Sequence, residues 1–196
     1  MHIPSKMGEF VRYFSGDRAV VEPQDFETYG LKPELKHFKK GELLISQGKS
    51  APYIFFMIKG LVRYMSVSAD GKEYTQAFAS SPGIAGSTRA MVSRSEALFS
   101  IEVLDDVLCL QFDWHDFFGV MKEQAGFLEA YSRLLEQMFA KKESREYYLL
   151  QKTAEQRYLE FVSEHPHLQN IVPLKVVASY IGITPIALSR IRKKLR

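Results

Sequence analysis

An α+β chain is predicted, with strands gathered in the first part and helices in the second. Three observations predict it. Between Phe38 and Phe112 short β-prone runs alternate with turn residues; after Phe112 the apolar period lengthens from two to 3.6; and the chain closes on two short helical patterns around a glycine. With 196 residues, 46% of them hydrophobic and 25% charged, the chain is long and apolar enough for one sizeable core and a small second one, which argues against disorder.

Taken in order, the chain opens on mixed helical signals. A short helical lead-in is expected around Lys6 to Tyr13, with Pro23 and Gly30-Leu31-Lys32-Pro33 as interruptions. Strand-like runs follow at Leu43-Leu44-Ile45, at 53–58, at 61–67, at 74–78, at 100–103 and at 107–112. The expected breaks are Gly41, Gly48, Gly60, Asp70-Gly71, Pro82-Gly83 and Asp105-Asp106. Asp70-Gly71 is the clearest hairpin turn, because two-residue β loops require positive φ angles that Asp-Gly accommodates. Short, evenly punctuated runs of this kind predict a compact sandwich or barrel.

Beyond Phe112, Trp114, Phe117, Phe118 and Met121 suit one short helix, and Gly126 precedes a longer run reaching about Leu150. Along it Phe127, Tyr131, Leu134 and Met138 recur at alternating spacings of four and three, and Arg145 and Tyr148 resume the pattern one heptad further on, the seam of a paired helix; Leu128, Leu135 and Phe139 widen the stripe. So wide a stripe fits a helix that meets its own β domain and a second copy of the chain; docking on its own domain alone is the other reading. Thr153 to Ser163 forms a further helix with Tyr158, Phe161 and Val162 inward, ended by His165-Pro166-His167, and Leu168 to Val172 reads as a linker. The expected domains are therefore 1–126, a β domain with its lead-in; 127–152, the long dimerisation helix; and 153–196, the terminal helical domain.

That last stretch carries the most chemistry. Val177, Tyr180 and Ile181 define the inner face of a helix that Gly182 ends. Thr184 followed by Pro185 starts the next helix, the threonine oxygen taking an orphan N–H and the proline fitting the first helical position. On this second helix Leu188, Ile191 and Leu195 face inward, leaving Ile186, Ser189, Arg190 and Lys193 outward. Lys175, Arg190, Arg192, Lys193, Lys194 and Arg196 make six cations with no acid from Leu174 onward, so a chain of formal charge +3 sums to −3 elsewhere. Two helices, a glycine turn and a cationic second helix form the pattern of a DNA-binding helix-turn-helix. A plain amphipathic hairpin with a solvated basic face is the alternative.

Other function classes find less support. The lone Cys109, between Leu108 and Leu110, excludes an internal disulfide and an all-cysteine iron–sulfur or zinc site within one chain, and reads as a buried small hydrophobe. No window approaches the roughly 18 apolar residues of a membrane helix, and Met1 to Tyr13 lacks a signal-peptide core, so no membrane partner and a cytoplasmic location are expected. The His165-x-His167 pair raises a cupin-type metal enzyme or ligand-binding module not acting on DNA, yet it lies after a helix, outside the strand-rich part; no catalytic constellation and no metal site is expected.

Order and motifs together resemble the Crp/Fnr family of bacterial transcription regulators. The matching residues include Lys40-Gly41-Glu42, Gly48, Ile58-Lys59-Gly60-Leu61-Val62-Arg63, Asp70-Gly71-Lys72-Glu73 and Gly83. In the C-terminal part they are Val172-Pro173-Leu174-Lys175, the run 178–185 and Leu188-Ser189-Arg190-Ile191-Arg192. The resemblance implies an N-terminal cyclic-nucleotide-binding-type β-roll, a long dimerisation helix and a C-terminal winged-helix-like helix-turn-helix domain, here without a C-terminal wing because the sequence stops at Arg196. It implies a non-enzymatic, homodimeric regulator, with a pseudo-palindromic duplex and RNA polymerase as partners.

In the family's phosphate-binding cassette a glutamate after a glycine takes a ribose hydroxyl, and an arginine about ten residues on neutralises the cyclic phosphate. Ser87 stands at the glutamate position and Ala97 near the arginine position, so cyclic AMP binding in the usual manner is not expected. An unidentified small-molecule effector remains open, in a cavity involving Tyr64, Phe78, Ser87, Thr88, Arg89 and Tyr131, as does a filled core with no ligand; no cofactor is certain. By the same resemblance Pro185, Ile186, Ser189 and Arg190 read bases, and Thr184, Lys175, Arg192, Lys193 and Lys194 contact phosphates. Isoleucine at 186, where many relatives carry glutamate, can only touch a thymine methyl or pack.

Overall fold

The computed structural model describes residues 30–169 and 171–195; the expected lead-in helix at Lys6 to Tyr13, Pro23 and the terminal Arg196 lie outside the described residues. The described chain divides into two units. One comprises the described residues up to Tyr64 together with Phe78–Glu136, and the other joins Met65–Ala77 to the residues from Gln137 onward.

The strands are β1 (Glu34–Phe38), β2 (Leu43–Ile45), β3 (Tyr53–Val67), β4 (Glu73–Ser80), β5 (Gly83–Gly86) and β6 (Ser100–Asp113). They form an antiparallel sheet in the order β1-β6-β3-β4, with β2 also on β6 and β5 also on β3. Two expected breaks are not breaks. The runs at 53–58 and 61–67 are one strand through Gly60, and 100–103 and 107–112 are one strand through Asp105-Asp106. Gly60 explains this, because at φ 113° it keeps the strand continuous where a side chain would not fit. A Cβ there would lie 2.7 Å from the Asp106 carbonyl oxygen and 2.7 Å from Val107 Cγ2. The hairpin at Asp70-Gly71 does join β3 to β4, but not as a two-residue loop with both residues at positive φ: only Gly71 has one, at 79°, and the turn is longer, closed by the Ser68 N–H donating to the Lys72 carbonyl.

Alternation along these strands sorts the apolar side chains onto two faces. One cluster contains Phe55, Met57, Val62, Ala85, Ala97, Ile101 and Val103, with Tyr64 and Phe99 packed against it. The other contains Ile54, Phe56, Leu110 and Phe112 and continues into the helices through Trp114, Phe117, Met121 and Phe127. Cys109 lies in the first cluster with no exposed surface, and burial pushes its thiol up to about 12, so it stays a neutral, inert core residue at physiological pH.

The helices are α1 (Thr88–Ser93), α2 (Trp114–Met121), α3 (Phe127–Gln151), α4 (Ala154–Glu164), α5 (Leu174–Ile181) and α6 (Pro185–Lys194), with a 3₁₀ turn at Pro166–Leu168. Asp113 starts α2, its carboxylate accepting the N–H groups of His115 and Asp116. Thr153 and Gln156 start α4 with a capping box. The stretch expected to be a linker does more than connect: Leu168 and Val172 are buried.

Candidate nucleic-acid interface

Local chemistry fixes the terminal helix pair. Gly182 ends α5 at φ 77°, a left-handed conformation that glycine adopts without strain, and its N–H donates to the Ala178 carbonyl. Thr184 then caps α6, its hydroxyl oxygen accepting the Ala187 N–H at 3.2 Å, with Pro185 at the first helical position. The two axes are bent by 93° at this break, close to the angle at which helix-turn-helix pairs meet. Val176, Val177, Ala178, Tyr180 and Ile181 of α5 and Leu188 of α6 are buried, and Leu188 has no exposed surface at all.

With Leu188 turned inward, Pro185, Ile186, Ser189, Arg190 and Lys193 of α6 are all exposed, Ile186 at 68%. Leu195, expected to face inward, is instead 41% exposed, because α6 ends at Lys194. The expected phosphate contacts divide into two kinds. Lys175 donates to Glu73 Oε1 at 2.9 Å, and Lys194 to Glu155 Oε2 at 2.7 Å. Lys193 is exposed and has no ion pair among the described residues; Arg192 is half-buried, and Thr184 is exposed.

Three contacts of this unit carry no sequence signal. Thr75 of β4 and Ser179 of α5 share a hydrogen bond at 2.6 Å. The Arg145 guanidinium of α3 stacks over the Tyr180 ring, 3.8 Å from its centroid, and donates to the Tyr180 carbonyl. Tyr148 donates to Glu164 Oε1 at 3.2 Å. Arg145 and Tyr148, read from sequence as part of a helix-pairing seam, therefore serve the helices of their own unit.

The seam needs correction at its start as well. Phe127 is 1% exposed and sits edge-on to Phe117 and Phe118; Tyr131 stacks on Phe127 and packs against Trp114. Both rings belong to the core of the first unit because Phe127 opens the helix directly beside α2. Leu134 is half-buried, while Leu128 (51%), Leu135, Met138 and Phe139 (72%) are exposed along α3.

Two of the residues expected around an effector pack on different apolar clusters. Tyr64 packs on Phe99 in one cluster and Tyr131 lies in the other. Ser87 is 1% exposed and spends its hydroxyl oxygen on the Ala90 N–H as the N-cap of α1; Thr88, the first residue of that helix, is exposed, and Phe78 is half-buried. Arg89 and Arg94 are exposed, and Ala97 is 1% exposed among apolar neighbours. His165 and His167 hold their ring centroids 6.4 Å apart, and His165 packs on Phe161 and Tyr180. Among the described residues no three His, Cys, Asp or Glu side chains group as metal ligands, and no single helix is long and apolar enough to cross a membrane.

The class these parts define is a cyclic-nucleotide-binding-type β-roll, a long helix and a helix-turn-helix. Residues 35–124 match the family model described as the cyclic nucleotide-binding domain. The fold is that of Crp/Fnr-type regulators. FixK2 from Bradyrhizobium japonicum superimposes with a TM-score of 0.72 at 17% identity, over 84% of this chain and 85% of that one. The regulator CLP of Xanthomonas campestris, described as responsive to c-di-GMP, gives 0.72 at 12% identity over 88% and 91%. A putative Crp/Fnr-family transcriptional regulator from Eubacterium rectale gives 0.69 at 15% identity over 84% and 78%. No curated protein sequence matches the chain.

Proposed function

We propose that this chain is a homodimeric, sequence-specific DNA-binding transcription regulator of the Crp/Fnr type, acting in the cytoplasm and working with RNA polymerase rather than as an enzyme. The observation that carries this reading is the exposed face of α6. It offers Pro185, Ile186, Ser189 and Arg190 while Leu188 anchors the helix from beneath. Arg190 donates a bidentate pair to guanine O6 and N7, a contact that discriminates by about 1–3 kcal/mol. Ile186 meets a thymine methyl, and Thr184, Lys175, Arg192, Lys193 and Lys194 meet phosphates, which position without specifying.

A second copy covers Leu128, Leu135, Met138 and Phe139 of α3, and the two recognition helices then reach half-sites about one turn apart, roughly 34 Å. The β-roll does not take cyclic AMP in the usual way. Ser87 and Ala97 supply neither the carboxylate nor the cation that a buried cyclic nucleotide requires, and both are enclosed in the fold. Selection of bound sequences from a random duplex pool tests the reading: a pseudo-palindrome recovered at physiological salt supports it, and binding with no sequence preference refutes it. Stoichiometric zinc, iron or manganese in the purified protein would favour a metal enzyme instead.

A further inference from the structure

The cations of the DNA-facing unit are not equivalent in the free protein. Arg190 and Lys193 have no ion pair among the described residues. Lys175 and Lys194 are each held by a carboxylate far away in sequence, Glu73 at the start of β4 and Glu155 in the first turn of α4. In both pairs the acid is the better enclosed partner: Glu73 is 25% exposed against 68% for Lys175, and Glu155 35% against 70% for Lys194. Each ammonium thus faces solvent with its carboxylate behind it, so a phosphate oxygen approaching from outside meets a lysine already engaged by an anion. Next to the first pair, the Thr75–Ser179 hydrogen bond ties the same strand to the same helix.

We propose that Glu73 and Glu155 act as internal competitors for the DNA backbone, holding Lys175 and Lys194 in the free protein and yielding them to phosphates on binding. This inference rests on the DNA-binding reading above. A phosphate contact of this kind releases counterions and strengthens binding, but here each contact first displaces a carboxylate. Exposed ion pairs of this type change an equilibrium by about 1.5- to 5-fold. Both protomers of a dimer carry each pair, so one substitution acts twice and the change becomes about 2- to 25-fold per dimer.

The test is titration of a labelled random-sequence duplex at low salt, because non-specific binding reads the phosphates alone. Glu73→Gln and Glu155→Gln, with folding checked by melting, are each expected to tighten binding within that range. In the Lys175→Gln background Glu73→Gln is expected to gain nothing, as is Glu155→Gln in the Lys194→Gln background. Equal gains in both backgrounds would reduce the effect to removal of negative charge and overturn the inference, as would no gain from either variant. If the unsubstituted protein bound no duplex at all, the DNA-binding reading itself would fall, and this inference with it.

Discussion

Arg145→Ala separates two roles for the long helix. If Arg145 belonged to a helix-pairing seam, its loss would weaken dimerisation; the structure instead places its guanidinium 3.8 Å over the Tyr180 ring and onto the Tyr180 carbonyl. That carbonyl is one of the last of α5, which no intrahelical N–H reaches. The stacking contributes about 0.5–2 kcal/mol and a hydrogen bond to a charged donor about 1.5–3 kcal/mol. Because Arg145 is only half-buried and the two interactions share one side chain, the lower half of the combined range applies, about 2–3 kcal/mol. For a unit of this size each kcal/mol moves the midpoint by about 4–8 °C, so its thermal transition should fall by roughly 10–20 °C. Arg145→Lys keeps a cation over the ring but not the planar fork, and should lose about half as much. Urea unfolding read by the near-ultraviolet signal gives the free energy, and sedimentation gives the oligomeric state. A loss below about 0.5 kcal/mol for the alanine variant, or a dimer that dissociates while the unit stays stable, would refute this placement.

Four other outcomes are expected. Arg190→Ala should flatten preference among operator sequences, whereas Lys193→Ala should weaken all of them nearly equally and lower the salt slope by about two, one per protomer. Phe139→Glu, at the most exposed aromatic of α3, should shift the protein toward monomer in sedimentation without lowering the melting point of the β-roll. Gly60→Ala would force a Cβ to within 2.7 Å of the Asp106 carbonyl oxygen at φ 113° and should cost about 1–3 kcal/mol or more in urea unfolding. His165 is the pH-sensitive group: burial against Phe161 and Tyr180 lowers its pKa below the usual 6.5, with Glu164 partly opposing. The unfolded chain then binds the proton first, so stability is full above about pH 6.5 and falls as pH drops through the lower folded value; His165→Phe should remove that part of the pH dependence in denaturant titrations.

Much of the fold was legible because its signals are local. Gly182 and Thr184-Pro185 each specify a backbone geometry within a few residues, and each does so here; Asp70-Gly71 marks its hairpin, with Gly71 at positive φ in a turn longer than two residues. The outward face of α6 followed from periodicity alone, since Leu188 fixes which side is buried. What periodicity could not show was which partner a stripe meets. Phe127 and Tyr131 fit the same spacing as a dimer seam, yet the aromatic residues of α2 claim them. Gly60 and Asp105-Asp106 look like strand ends because a facing irregularity in two long strands has the composition of two turns. Pairs such as Glu73 with Lys175, 102 residues apart, leave no trace in sequence spacing.

In the proposed function, two exposed recognition helices read two half-sites as one dimer. The most direct measurement is the crystal or cryo-electron structure of the protein on a duplex selected from a random pool. It should show two chains per duplex, Arg190 on a guanine in each half-site, and half-site centres roughly 34 Å apart. A single chain per site, or α6 lying away from the major groove, would contradict it.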